Sequence, residues 1–184
     1  AVRYAHPRSR AAPGRVPCLA PDMDRRLVAL GFGGTRRALA DAPSSGTYTV
    51  AVWTGTEMLL WGSTAGPAEP PTTDGLAYAP ASDSWRVLPD APIPSRPYAS
   101  GVWTGTELLV WGGYDVSTDG YVAGADDGVA YDPATDTWRA LPPSPLDGRF
   151  YQQAVWTGDR MLVWGGSVGD GAVSTSFSDG ADYD

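Results

Sequence analysis

The chain holds no lysine, one histidine and one cysteine among its 184 residues. The lone histidine, His6, stands far from the rest of the patterned sequence, so a Ser-His-Asp or Cys-His nucleophilic site is excluded from residues 35–184. Cys18 has no second cysteine to form an internal disulfide. With His6 and Cys18 solitary, the clusters that hold zinc or copper are missing too, and no metal site is expected. No apolar run approaches the ~20 residues a membrane-spanning helix needs. Leu27–Phe32 is too short for the apolar core of a secretory signal. No stretch carries the 3.6-residue apolar rhythm of a useful helix. The absent lysine accompanies abundant Ala, Gly, Pro and Arg, a composition typical of GC-rich genomes.

Tryptophan, by contrast, is plentiful and falls in register. Trp53, Trp103 and Trp156 each sit in a V-W-T-G string. Trp61, Trp111 and Trp164 follow eight residues later, each before glycine. Trp85 and Trp138 each open W-R-x-L-P. Tyr48, Tyr98 and Tyr151 are spaced by 50 and 53 residues. Self-similarity at that period signals a repeat array.

Each unit reads as four short extended segments, such as Ala99–Gly105, Glu107–Gly113, Gly128–Pro133 and Thr137–Pro142. They are rich in Val, Leu, Tyr and Trp and are bounded by Gly, Pro, Asp and Thr. Thr104-Gly105-Thr106 and Thr157-Gly158-Asp159 place glycine where a tight hairpin needs positive φ. Asp132-Pro133-Ala134-Thr135-Asp136 combines a proline-set φ with an Asp cap. The expectation is an antiparallel four-stranded meander per repeat. One such sheet cannot bury both faces alone and must stack on its neighbours. Radially repeated four-stranded sheets form a β-propeller, and a 50-residue period suits the kelch class better than the shorter WD40 class.

The residues resemble kelch repeats, whose hallmark is a glycine doublet after an apolar strand, then Tyr, then Trp about seven residues on. Gly112-Gly113, Tyr131 and Trp138 fill those places. Gly62-Ser63, Tyr78 and Trp85 do so in the first copy, with Ser63 departing from the second glycine. Gly165-Gly166 and Tyr183 do so in the third. The resemblance covers roughly Thr35 to Asp184 and is to bacterial kelch-repeat proteins. It implies an all-β, kelch-type β-propeller with about three four-stranded antiparallel blades, at 47–89, 97–142 and 150–184 (the last incomplete), in a partial or open ring. A closed propeller has roughly four to eight blades, so the expectation is a fragment of a longer propeller. An alternative is a homodimer completing the ring, because Thr35–Pro43 aligns with Ser84–Pro92 as a fourth-strand copy. Members of this look are often extracellular or periplasmic.

Charge divides the chain. Residues 1–40 carry eight Arg and two Asp, while residues 41–184 carry five Arg and nineteen acids, a net of +6 against −14. Residues 1–34 read as a basic, disordered Pro/Arg-rich arm. The acidic body argues against nucleic acid as partner.

The tryptophans Trp53, Trp61, Trp85, Trp103, Trp111, Trp138, Trp156 and Trp164 are expected to be packing residues, because identical positions in every repeat point to the core. Gly112, Gly113, Gly165 and Gly166 are expected to be backbone devices for close sheet packing. Arg86 and Arg139 read as solvated edge protection. Binding residues concentrate on loops held by a rigid scaffold, and the connections 63–75, 114–127 and 167–180 are long and variable. Their acids, among them Asp115, Asp119, Asp126, Asp127, Asp170 and Asp179, read as solvated rather than calcium-binding, since no D-x-D-x-D-G loop is present. Arg96, Tyr98, Arg149, Tyr151 and Gln152 precede the innermost strands of their blades and are the candidate ligand-binding residues. An Arg and Tyr ring at a channel mouth grips a carboxylate or phosphate through bidentate guanidinium pairing. No catalytic residue and no cofactor are expected. The expected role is a scaffold for a protein, peptide or carbohydrate ligand. The alternative is a piece of a kelch-fold carbohydrate-active enzyme, galactose-oxidase-like or sialic-acid-epimerase-like, with its active site mainly in other blades.

Overall fold

A computed structural model describes residues 37–44, 46–64, 75–115, 123–169 and 174–184. The basic arm, His6, Cys18, Asp119, Asp170 and the side chain of Tyr48 lie outside the described residues. The chain divides into a unit of residues 1–38 and a unit of residues 39–184, and the repeats form the second.

That unit is all-β and β-propeller-like. The first sheet has the order β1 (Thr47–Trp53), β2 (Met58–Thr64), β3 (Leu76–Ala79), β4 (Ser84–Val87). The second is built from β5 (Ser100–Trp103), β6 (Leu108–Trp111), β9 (Gly128–Asp132) and β10 (Thr137–Ala140) in that order. The third has β11 (Gln153–Trp156), β12 (Met161–Trp164) and β15 (Gly180–Tyr183). All neighbours are antiparallel and follow chain order within each sheet.

The turn residues act as their chemistry requires. Gly55, Gly105 and Gly158 hold φ between 104° and 112°. The preceding threonine caps each hairpin: Thr54 Oγ1 accepts from Glu57 N at 2.9 Å, Thr104 Oγ1 from Glu107 N at 2.9 Å, and Thr157 Oγ1 from Arg160 N at 3.0 Å. Asp132 Oδ1 accepts from Ala134 N at 2.8 Å, and Asp136 enters the left-handed region at φ 55°. Two connections read as loops contain paired ribbons instead. β7 (Tyr114–Asp115) pairs with β8 (Ala123–Gly124), and β13 (Ser167–Gly169) pairs with β14 (Ser174–Ser176). Their short length and Gly/Ser-rich composition hid them, because strand period cannot be read from two or three residues.

Side-chain alternation explains how the sheets stack. On β2, Leu59 and Trp61 share one face, and Val50 and Val52 of β1 lie opposite them in register. That face meets Leu108, Val110, Val129 and Tyr131 of the second sheet. The other face of the second sheet, with Val102, Leu109, Trp111 and Ala130, meets Met161 and Val163 of the third. Burying one such aliphatic or aromatic side chain contributes ~1.5–3 kcal/mol, so two continuous interfaces of this kind make up the core. The first strands β1, β5 and β11 run beside one another from sheet to sheet.

The tryptophans divide by face. Trp61 is fully buried and Trp111 nearly so; Trp85, Trp103, Trp138 and Trp156 are half-buried. Trp53 and Trp164 are exposed, at 53% and 62%. The reason is position. Trp53 lies on the outward face of the first sheet with Met58 opposite it, and Trp164 on the outward face of the third with Val155 and Leu162. Two indoles are held by a hydrogen bond to the preceding connection. Trp138 Nε1 donates to Pro89 O at 2.8 Å, and Trp85 Nε1 donates to Ala40 O at 2.8 Å. Ala40 stands toward Trp85 as Pro89 stands toward Trp138.

Arg86 and Arg139 are not merely solvated edge residues. Arg86 forks onto Glu57 of its own sheet at 2.9 and 3.2 Å and reaches Tyr131 Oη at 3.0 Å and Asp136 at 3.2 Å in the next. Arg139 forks onto Glu107 at 2.7 and 3.0 Å and reaches Tyr183 Oη at 3.4 Å. Tyr131 donates to Asp136 at 2.5 Å, and burial, aided by that bond, pushes its phenol up to about 12. Both arginine side chains are more than a third exposed, at 37% and 48%. Each exposed ion pair therefore adds only ~0–1 kcal/mol, and the repeated latch fixes sheet spacing more than it adds stability.

Candidate functional site

The candidate residues gather where the connections enter β5 and β11, and they separate into two groups. Arg96 and Arg149 are buried, at 5% and 0% exposure. Arg149 Nε donates to Asp147 O at 2.9 Å, its Nη1 to Gly165 O at 3.1 Å and to Asp179 Oδ1 at 2.6 Å. Its guanidinium also lies 4.0 Å from the Phe177 ring centroid. Arg96 pairs with Asp127. Each arginine thus pins the connection that precedes the third strand of its own repeat. Neither is open to an external carboxylate or phosphate, which corrects the expectation of an anion-gripping ring. The physical reason is proximity in the fold: a carboxylate thirty or so residues on is already in place. Asp179, read as solvated, is engaged likewise, and the Arg149 hydrogen bond holds its carboxyl below the ordinary value.

Gln152 is also drawn inward. Its Nε2 donates to Trp111 O at 2.8 Å, joining the third sheet to the second, and it is 3% exposed. Gly112 makes room for it. A Cβ there would sit 2.6 Å from Gln152 Nε2 and 2.9 Å from Arg149 O, and φ is +70°. Glycine is the residue that accepts both constraints.

Tyr98 and Tyr151 behave differently. They stay exposed, at 39% and 56%, and both hold φ 60°. For a bulky side chain that conformation costs on the order of 1–3 kcal/mol and persists only where the surroundings impose it. Here the imposing contacts are Tyr114 N to Pro97 O at 2.8 Å and Tyr151 N to Tyr98 O at 3.3 Å. The two rings approach to 4.5 Å between centroids, tilted by 49°. Tyr114 and Phe150 extend the group, with centroid separations of 5.7 Å for Tyr98–Tyr114, 4.8 Å for Tyr114–Phe150 and 5.2 Å for Phe150–Tyr151. Hydrogen bonding with the Tyr98 hydroxyl raises the Tyr151 phenol above its ordinary value, so the Tyr151 phenol is neutral at physiological pH.

Beside the pair opens a cleft of about 380 Å³, lined by Thr49, Tyr98, Ser100, Tyr151, Gln152 and Gln153 with adjoining small residues. No charged side chain lines it. Ser100 Oγ donates to Gln152 O, which fixes the floor between β5 and β11. The arrangement offers ring faces, hydroxyls and amides, and so can stack and hydrogen-bond a neutral molecule. Among the described residues no group of three or more His, Cys, Asp or Glu is placed to hold a metal ion, and no helix is long and apolar enough to cross a membrane. Sequence reasoning found Tyr98 and Tyr151 by their register but missed Tyr114 and Phe150, which belong to no repeated position.

No family model and no curated protein matches the chain. Among solved structures it is similar to one described as "Structure of YjhT", with a TM-score of 0.59 and 21% identity over 71% of this chain. The chain spans 37% of that protein's length. At this identity the likeness speaks for the fold alone, and it agrees with the β-propeller-like stacking of sheets described above.

Proposed function

We propose that the chain is a segment of a kelch-type propeller serving as a binding scaffold, with its ligand seated on the Tyr98–Tyr151 shelf. The observation that carries this reading is the pair of strained, exposed tyrosines. Strain at a bulky residue that stays exposed points to a surface kept for contact. The glycine and tyrosine places of the repeat support the kelch assignment. The neutral lining favours a carbohydrate or an uncharged peptide face over an anionic ligand, since a pyranose ring presents C–H faces to aromatic rings and hydroxyls to amides. No observation at the site favours the enzyme alternative.

The test is a glycan and peptide array followed by titration of the best ligand against variants. Asn accepts positive φ, so Tyr98→Asn and Tyr151→Asn remove the rings without forcing the backbone to move. Each is expected to weaken binding by at least tenfold while shifting the melting temperature by no more than a degree or two. Unchanged affinity in both variants contradicts the assignment.

A further inference from the structure

A phenol gives up a hydrogen atom to one-electron oxidants, and the radical left behind carries its unpaired electron partly on the ring carbons ortho to oxygen. Two phenols held in contact can therefore be joined. Tyr98 and Tyr151 lie 53 positions apart in the sequence, yet their ring centroids are 4.5 Å apart. Both are exposed, so a small oxidant reaches them. A hydrogen bond between their hydroxyls sets the ring edges next to oxygen side by side. The backbone keeps them there, since Tyr151 N donates to Tyr98 O at 3.3 Å and both residues are fixed at φ 60°.

The other described tyrosines are placed differently. Tyr78 and Tyr131 are buried, donate to Asp83 and Asp136, and have Trp85 and Trp138 against their rings. Tyr183 is half-buried and accepts from Arg139. Tyr114 is half-buried and stands 5.7 Å from Tyr98, edge-on at 69°.

The geometry points to an oxidative cross-linking site: one-electron oxidation joins Tyr98 to Tyr151 as dityrosine and staples the second sheet to the third where the connections enter β5 and β11. Each phenol loses one electron and one proton. The two phenoxyl radicals combine through their ortho carbons. The hydrogen on each of those carbons then moves to oxygen, which restores both phenols. Two hydrogen atoms leave in all, and a peroxide acting through a haem peroxidase takes them up, one hydrogen peroxide becoming two waters. The fixed pair supplies the proximity that lets coupling within one chain outrun coupling between chains. At the outer edge the same two sheets are already tied by Arg139, through Glu107 and Tyr183. The staple adds a tie on the inner strands and closes a loop in the unfolded chain, which favours the folded state. It needs no ligand and stands apart from the binding role of the shelf.

The test treats dilute protein with peroxidase and hydrogen peroxide. The monomer is expected to lose the mass of two hydrogen atoms and to gain dityrosine fluorescence. Trypsin cuts after arginine but not at Arg96-Pro97, so it should release residues 87–139 joined to residues 150–160, in which Tyr151 is the only tyrosine. Tyr98→Phe and Tyr151→Phe keep the rings and lose the hydroxyls. Each is expected to lower the yield of the joined peptide at least tenfold, while Tyr114→Phe changes it less than twofold. The cross-linked monomer is expected to unfold at a higher urea concentration than the untreated protein. Absence of the joined peptide, a yield that survives Tyr98→Phe, or a yield lost with Tyr114→Phe overturns the assignment of the pair. An unchanged urea midpoint overturns the staple.

Discussion

Trp61→Ala is expected to lower the unfolding free energy by roughly 3–5 kcal/mol, the range for truncating a fully buried large aromatic. Trp61 has no exposed surface and lies between the first and second sheets, 6.1 Å from Trp138. Its removal leaves a hole that two hydrogen-bonded sheets are too stiff to close. A domain has about 5–15 kcal/mol of net stability, so the loss takes a large part of the total. Trp111→Ala, between the second and third sheets, is expected to cost a similar amount. Trp53→Ala and Trp164→Ala act on exposed rings and are expected to stay within about 0.5 kcal/mol of the parent. Urea unfolding of the four variants checks the contrast. Equal losses in all four would mean that the faces are misassigned.

The second large effect is expected at Arg149. Its guanidinium is fully buried and bonded to Asp147 O, Gly165 O and Asp179, and it covers the Phe177 ring. Hydrogen bonds from a charged donor contribute ~1.5–3 kcal/mol each before overlap. Arg149→Met is therefore expected to destabilise by on the order of 3 kcal/mol. Asp179→Asn leaves the buried cation without its counter-charge and is expected to destabilise as well. The carboxyl also sets a pH dependence. Its native-state value lies below the ordinary 3.8, so the unfolded chain takes up the proton first as pH falls. The pair's contribution is complete above about pH 4 and is lost as pH drops through the native-state value. Asp179→Asn should flatten that acid limb in a melting-temperature series from pH 2 to 6. A variant with the parent's acid limb would remove Asp179 from the account.

Much of the architecture was legible because repetition turns weak local signals into strong ones. A single V-W-T-G string says little, but three in register with W-G strings eight residues on fix the hairpin, its turn and its spacing. What repetition does not show is the surroundings of each copy: Trp53 and Trp103 hold the same place on the same face, yet Trp103 packs on the first sheet while Trp53 has no sheet against it among the described residues. The candidate site was half legible. Register singled out Arg96 and Arg149 together with Tyr98 and Tyr151, but only three dimensions show that Asp127 and Asp179 capture the arginines and leave the tyrosines. The Glu57–Arg86–Tyr131–Asp136 latch was present in the sequence as repeated charges. It escaped notice because its members lie up to 79 residues apart, from Glu57 to Asp136.

The claim beneath all of this is that successive sheets press together through alternating faces. The most direct measurement is a nuclear Overhauser spectrum of the folded protein. Val50 Cγ1 lies against Gly101 of the next sheet, and Trp61 lies near Trp138. Cross-peaks between the Val50 methyl and the Gly101 α-protons, and between the two indoles, are expected. Spectra in which Val50 and Trp61 contact only residues of their own sheet would contradict it.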